Sequence, residues 1–366
     1  MDIPENIRNG IDNLLFNCIE AKPGDSLAIV TEQGVDGYYS ATLDGVIAAH
    51  ARERSLHVRI VVAPVLEEAS SFPDEIQSAF EAADHTLFLA RIGDQLRFSE
   101  LGGVGNPIIC YALDEASFGT PFGSAHYKFF ISLKSLINEA MFGNKEITVR
   151  CASGTNLTGV SPANPKDDNA GDVTVRRFPM TVFRPIPGQS FSGQIALTRW
   201  LCASGSRLYK PDNVLIDGVV FALIENGRIV DFEGERKEVD KVRGHYDFVA
   251  KKYNIEGDVI HSWHAGYHPQ NGYFGLATDY LSRWSGSAFG NPRYLHLHTC
   301  GAYAPGEICM SVFDPTVTVD GVDMWRDGRL LFAETPAVRE LQSNYPGIRE
   351  MFDNPMMEYG LGEVHT

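Results

Sequence analysis

Ser26-Leu27-Ala28-Ile29-Val30-Thr31 is an uncharged, mostly apolar run between the turn Lys22-Pro23-Gly24-Asp25 and the polar stretch that begins at Glu32. It reads as a strand buried on both faces, because a half-exposed strand would alternate apolar and polar side chains. Upstream, Asn6 to Ala21 spaces Ile7, Ile11, Leu14, Leu15, Cys18 and Ile19 at helical intervals. Downstream, a helix is predicted from about Tyr39 to Arg54, followed by the apolar runs His57–Val62, His85–Ala90 and Pro107–Ala112. Phe129–Phe142 is helical again and is closed by Gly143-Asn144. Apolar strands separated by helices predict a doubly wound parallel sheet covered on both faces.

After Lys145 the pattern changes to short strands broken by Gly and Pro. Strands are predicted at Glu146–Arg150, Met180–Phe183, Ser190–Leu197, Val214–Ile216, Val219–Glu225 and Arg228–Glu233. Asn226-Gly227 is a hairpin turn, and one helix spans about Asp240 to Lys252. The loop Ser161–Asp172 has no large apolar residue and reads as mobile. The expected organisation is therefore α/β over residues 1–145 and a β-rich α+β domain over 146–366, a division that suits a chain of 366 residues.

Composition excludes several function classes. A formal net charge of -16 argues against a nucleic-acid partner, which needs clustered Lys and Arg. No apolar run approaches the roughly 18 residues of a membrane span. Met1–Asn6 carries acid where a secretory signal would carry base, so a cytoplasmic protein is expected. The cysteines (Cys18, Cys110, Cys151, Cys202, Cys300, Cys309) have no CxxC spacing and read as reduced thiols. The turn after Thr31, Glu32-Gln33-Gly34-Val35-Asp36-Gly37, lacks the G-x-G-x-x-G arrangement of a dinucleotide site. Gly102-Gly103-Val104-Gly105 precedes a strand and cannot present phosphate to a helix N-terminus.

Five of the eleven histidines fall between His261 and His298. Arg293–Gly301 reads as a buried strand, and alternation sends His296 and His298 to one face. Two neutral imidazoles one strand-step apart can chelate a divalent metal, and His261 or His264 would complete a site with open positions. The plainer alternative is a pair of core histidines bonded to backbone or water. Cys300 and Cys309 lie beside this strand, and each reads either as a metal ligand or as a small buried hydrophobe. Glu307, Tyr267 and Asp279 are the candidate acid/base groups.

Several segments of the chain resemble one known superfamily. They are Gly154-Thr155-Asn156-Leu157-Thr158-Gly159, the hairpin Leu223–Val230 with Glu233-Gly234, Val259–Pro269, Leu295–Gly301 and the closing strands Pro315–Gly321 with Asp327-Gly328-Arg329. In this order they are similar to the aminopeptidase T (thermophilic metallo-aminopeptidase) family and to the 2,5-dihydroxypyridine dioxygenases of the same architecture. The resemblance implies a metal site near His296 and a homodimer. It departs at most ligand positions. Phe178-Pro179-Met180-Thr181-Val182 has no acid, Ile260-His261-Ser262-Trp263 stands where a glutamate opens a segment, and Cys309-Met310-Ser311 replaces an H-x-D pair. A carboxylate-bridged two-metal centre is therefore not expected.

Three functions remain. The first is a hydrolase with one Fe(II) or Zn(II) ion on a rebuilt histidine site, acting on an amide or a small cyclic or short peptide-like substrate. In it His261, His264, His296 and His298 are the metal ligands, and Glu307 and Tyr267 are catalytic. The second is a non-haem iron(II) dioxygenase cleaving a hydroxylated pyridine or aromatic ring. The third is a non-catalytic binding or scaffold relative that has lost its metal.

Overall fold

The computed structural model describes residues 2–32, 37–67, 69, 71–97, 105–164, 175–204, 206–301 and 306–362. The turn 33–36, the glycines 102–103 and most of the loop 161–172 lie outside the described residues. The fold is α/β with a parallel five-stranded sheet and a large antiparallel one. Its compact units are Met1–Ile131 with Asp172–Met180, and Ser132–Gly171 with Thr181–Thr366. Patterning placed a single boundary near residue 145; the chain instead crosses between units more than once, because a strand far along the sequence completes the first sheet.

In chain order the first strands are β1 (Ser26–Glu32), β2 (His57–Ala63), β3 (His85–Leu89), β4 (Pro107–Cys110), β5 (Glu146–Arg150), β6 (Asn156–Val160) and β7 (Arg176–Phe178). The first unit's sheet runs β2-β1-β3-β4-β7 with every pairing parallel. β1 and β3 are central, and their apolar side chains are buried on both faces as the uncharged runs required. β2 is an edge strand and leaves Ile60 and Val62 exposed, so an apolar run did not mean full burial there. The helix predicted over Asn6–Ala21 is Glu5–Asp12 continued by a π-helical turn, Asn13–Cys18. There the buried Asn13 side chain donates to the carbonyls of Gly123 and Ala125 and accepts from the Tyr127 amide.

The second unit holds β8 (Ile186–Pro187), β9 (Ser192–Cys202), β10 (Asn213–Glu225), β11 (Arg228–Gly234), β12 (Ile260–Ala265), β13 (Tyr294–Thr299), β14 (Ile308–Phe313), β15 (Thr316–Val319), β16 (Val322–Arg326) and β17 (Arg329–Leu330). With β5 and β6 they form one sheet in the order β17-β16-β15-β5-β6-β9-β14-β13-β12-β8, and β10 pairs with β9 and β11. The two runs Val214–Ile216 and Val219–Glu225 are one strand. A register shift lies between Ile216 and Val219, and Gly218 (φ 82°) absorbs the bulge. Met180–Phe183 is not a strand; among the described residues it makes a single bridge, Val182 to Gly266. The helix Arg236–Tyr253 ends on Asn254 in the left-handed conformation (φ 52°), a common C-terminal cap. No helix among the described residues is long and apolar enough to cross a membrane.

Candidate metal centre

Strand register assembles the site within the second unit. β12 pairs antiparallel with β13 so that His264 faces His296 and Ser262 faces His298, while β14 sets Cys309 opposite His298. Alternation puts His296 and His298 on one face of β13, and the pairing brings His264 to the same place from the neighbouring strand. Ring centroids are 4.4 Å apart for His264 and His296, 4.8 Å for His296 and His298, and 5.2 Å for His264 and His298. The Nε2 of His264 lies 2.9 Å from Nε2 of His296 and 3.3 Å from Nε2 of His298.

The protons on these rings decide what the cluster can hold. His264 Nδ1 faces the Phe183 carbonyl oxygen at 3.2 Å, and a carbonyl only accepts, so in the neutral ring Nδ1 carries the hydrogen. His298 Nδ1 donates to Glu307 Oε1 in a short contact. Both rings therefore turn an Nε2 lone pair toward the other, an arrangement that repels until a cation enters. Two nitrogens each about 2.1 Å from one ion stand about 3.0 Å apart at a right angle and about 3.4 Å at the tetrahedral angle. The observed 2.9 and 3.3 Å match these separations. The residues present fit one divalent ion.

Glu307 is fully buried and held from several sides. Oε1 accepts from His298, while Oε2 accepts from Ser204 Oγ at 2.8 Å and lies 3.0 Å from Arg207 Nη2. Its carbonyl takes the Tyr209 hydroxyl at 2.8 Å. Its φ of 121° lies in the region that favours glycine, a strain of order 1–3 kcal/mol that a surrounding structure must hold in place. A ligand histidine whose second nitrogen donates to a carboxylate or carbonyl is the usual pattern of metal sites, and His264 and His298 both follow it. His298, Glu307 and Cys309 are also close enough together to hold a metal. A guanidinium already stands beside Glu307, however, and its charge opposes a second cation there.

Of the residues singled out in the sequence, His264, His296 and His298 converge. His261 is the extra residue of a bulge between Ile260 and Ser262, so it leaves the alternation that aligns His264. It is half-buried, and burial together with the neighbouring His298 holds its imidazole below the ordinary range. Tyr267 is fully buried beyond the end of β12, with its amide on the Thr181 carbonyl at 2.9 Å. Asp279 closes the short helical turn Ala277–Asp279. The Cys300 thiol is pushed up to about 12 by burial and so stays protonated near neutrality. Ser204 and Arg207 were missed. They lie in the loop after β9, and only the pairing of Cys202 with Cys309 across β9 and β14 brings that loop to the site.

No family model and no curated protein matches this chain. Solved structures do. A 2,5-dihydroxypyridine dioxygenase from Pseudomonas putida superposes with TM-score 0.57 at 13% identity, over 89% of this chain and 98% of that one. AmpT from Thermus thermophilus superposes with TM-score 0.47 at 13% identity, over 89% and 99%. The chain thus shares the fold of the dioxygenase along most of its length, and the resemblance read in the sequence is a resemblance of fold.

Proposed function

We propose that this protein is a mononuclear metalloenzyme in which His264, His296 and His298 hold one divalent ion, and that it carries out iron(II)-dependent oxygenation of a hydroxylated aromatic ring. The observation that carries the metal reading is the convergence of three Nε2 atoms while the Nδ1 atoms of His264 and His298 are engaged elsewhere. Such an ion would supply a dipositive centre undiminished by anionic ligands, suited to activating dioxygen or polarising a substrate oxygen or water.

The chain's own residues prepare that centre. Glu307 holds His298 in the tautomer that frees Nε2, and the Phe183 carbonyl does the same for His264. Tyr294 stacks on His296 at 5.3 Å, and Phe289 meets the same ring edge-on at 6.2 Å, so water is kept from one side. His298 is the least buried of the three and marks the side from which a substrate can approach. Two points favour oxygenation over hydrolysis. Hydrolysis needs a positioned base, and the Glu307 carboxylate already accepts from His298 and Ser204 and faces the Arg207 charge. The fold is also that of a 2,5-dihydroxypyridine dioxygenase. The hydrolase reading rests on the all-neutral ligand set, which suits zinc equally.

The test begins with elemental analysis of protein purified anaerobically without chelator or tag metal. The expected outcome is about one ion per chain, with oxygen uptake by the iron(II)-loaded protein on 2,5-dihydroxypyridine or a catechol. Amide hydrolysis by the zinc-loaded protein without oxygen uptake would move the assignment to a hydrolase. A folded chain that takes up neither ion would remove the enzyme reading.

A further inference from the structure

Arg207 is about 2% exposed, yet none of its three guanidinium nitrogens has a hydrogen-bond partner among the described residues. Its Nη2 lies 3.0 Å from Glu307 Oε2, near enough for charge attraction but misaligned for a hydrogen bond. A guanidinium paired bidentately with a carboxylate is seen elsewhere in the same unit. Arg293 meets Asp314 fork to fork, Nε to Oδ1 at 2.6 Å and Nη2 to Oδ2 at 2.8 Å. Arg207 does not meet Glu307 in that way: one nitrogen lies near Oε2 without the alignment of a hydrogen bond, and the carboxylate accepts instead from His298 and Ser204. A buried fork of five N–H donors is thus left to be satisfied by something else.

We propose that Arg207 is the anchor for a carboxylate on the substrate, which makes the compound handled at the histidine centre an acid-bearing ring; this rests on the metal-centre reading above. The planar fork matches a carboxylate with two parallel hydrogen bonds. Glu307 joins Arg207 to His298, so an acid held by the guanidinium sits one side chain away from a ligand ring. The Glu307 carboxylate thus lies between the ligand ring His298 and the Arg207 guanidinium. Positive charge in a buried place favours an anionic ligand.

The probes are benzoate and acetate, each titrated calorimetrically against its amide, benzamide or acetamide. They are applied to metal-loaded and to chelator-stripped full-length protein. The acid is expected to bind about tenfold or more tightly than its amide, in stripped protein as well as loaded. Arg207→Met should abolish the preference, and Arg207→Lys should reduce it severalfold because an ammonium lacks the planar fork. Equal binding of acid and amide by the wild type overturns the proposal, as does a folded Arg207→Met protein that keeps the preference. Should Arg207→Met not fold, an undiminished preference in Arg207→Lys overturns it. Failure of the metal reading would look different: no ion in elemental analysis, with the acid preference intact in the stripped protein.

Discussion

The Nε2 of His298 stands 3.3 Å from the Nε2 of His264, although each ring spends its Nδ1 hydrogen on another acceptor, Glu307 for one and the Phe183 carbonyl for the other. Two lone pairs so placed are stabilised by a cation. Removing any one of the three rings should therefore remove the ion and leave the fold. His264→Ala, His296→Ala and His298→Ala are each expected to lower metal content from about one ion per chain to near zero. Their melting temperatures should match that of the chelator-stripped wild type to within a few degrees. Elemental analysis and thermal melts check this, and a variant that keeps its ion while melting early would sink the metal reading.

Glu307 acts on the ion only through His298, so its effect should be graded. Glu307→Gln keeps an oxygen that can accept from the His298 Nδ1–H but loses the charge, and metal affinity should fall about 10–100-fold. Glu307→Ala also leaves the Arg207 guanidinium buried without its counter-charge, which should destabilise the protein by about 3–5 kcal/mol. Competition titration with a chelator and urea unfolding measure the two effects separately. Equal metal affinity in wild type and Glu307→Gln would show that the carboxylate does not orient the ring.

Stability should fall as pH drops below the ordinary histidine range. Burial lowers His245 from 6.5 to about 4 and His268 to about 3. Both are neutral in the fold at pH values where the unfolded chain already binds a proton. Their contribution is complete above about pH 6.5 and is lost as pH falls toward 4, by about 3 kcal/mol for His245 alone. Denaturant unfolding between pH 7 and 4.5 should show the decline, and His245→Phe should flatten part of it. A flat profile in the wild type would mean that these rings protonate in place.

Gly266 follows β12 directly and has no room for a side chain. A Cβ there would lie 2.3 Å from the Asn291 carbonyl oxygen and 2.3 Å from the Gly290 carbonyl carbon, while the Gly266 carbonyl accepts from Trp325 Nε1 at 2.9 Å. Gly266→Ala is expected to cost on the order of 1–3 kcal/mol and to weaken metal binding by shifting the end of the strand that carries His264. Gly244→Ala, where a Cβ meets nothing, is the control and should leave both unchanged or slightly stabilise the helix. A Gly266→Ala protein as stable as the wild type would contradict the packing.

What the sequence determined by itself was the periodicity of each segment and, with it, the layers. Ser26–Thr31 and His85–Ala90 read as buried strands because both runs are mostly apolar and free of acidic and of lysine or arginine side chains, and β1 and β3 lie inside the sheet. The alternation in Leu295-His296-Leu297-His298 was enough to put two imidazoles on one face, since the strand period is two. It could not choose between His261 and His264. That choice came from the register of β12 against β13, which sets His264 opposite His296. Nor could local pattern identify β2 as an edge, place β7 in the first sheet, or bring Ser204 and Arg207 to Glu307 from about a hundred residues upstream. Those outcomes depend on which strands become neighbours, and neighbour choice is settled by burial summed over the whole sheet. The chemistry of the candidate centre follows the same division: two of the imidazoles are written in one strand and the third in its neighbour, while the tautomers of His264 and His298 are set by a carbonyl at Phe183 and a carboxylate at Glu307 that only the tertiary fold supplies.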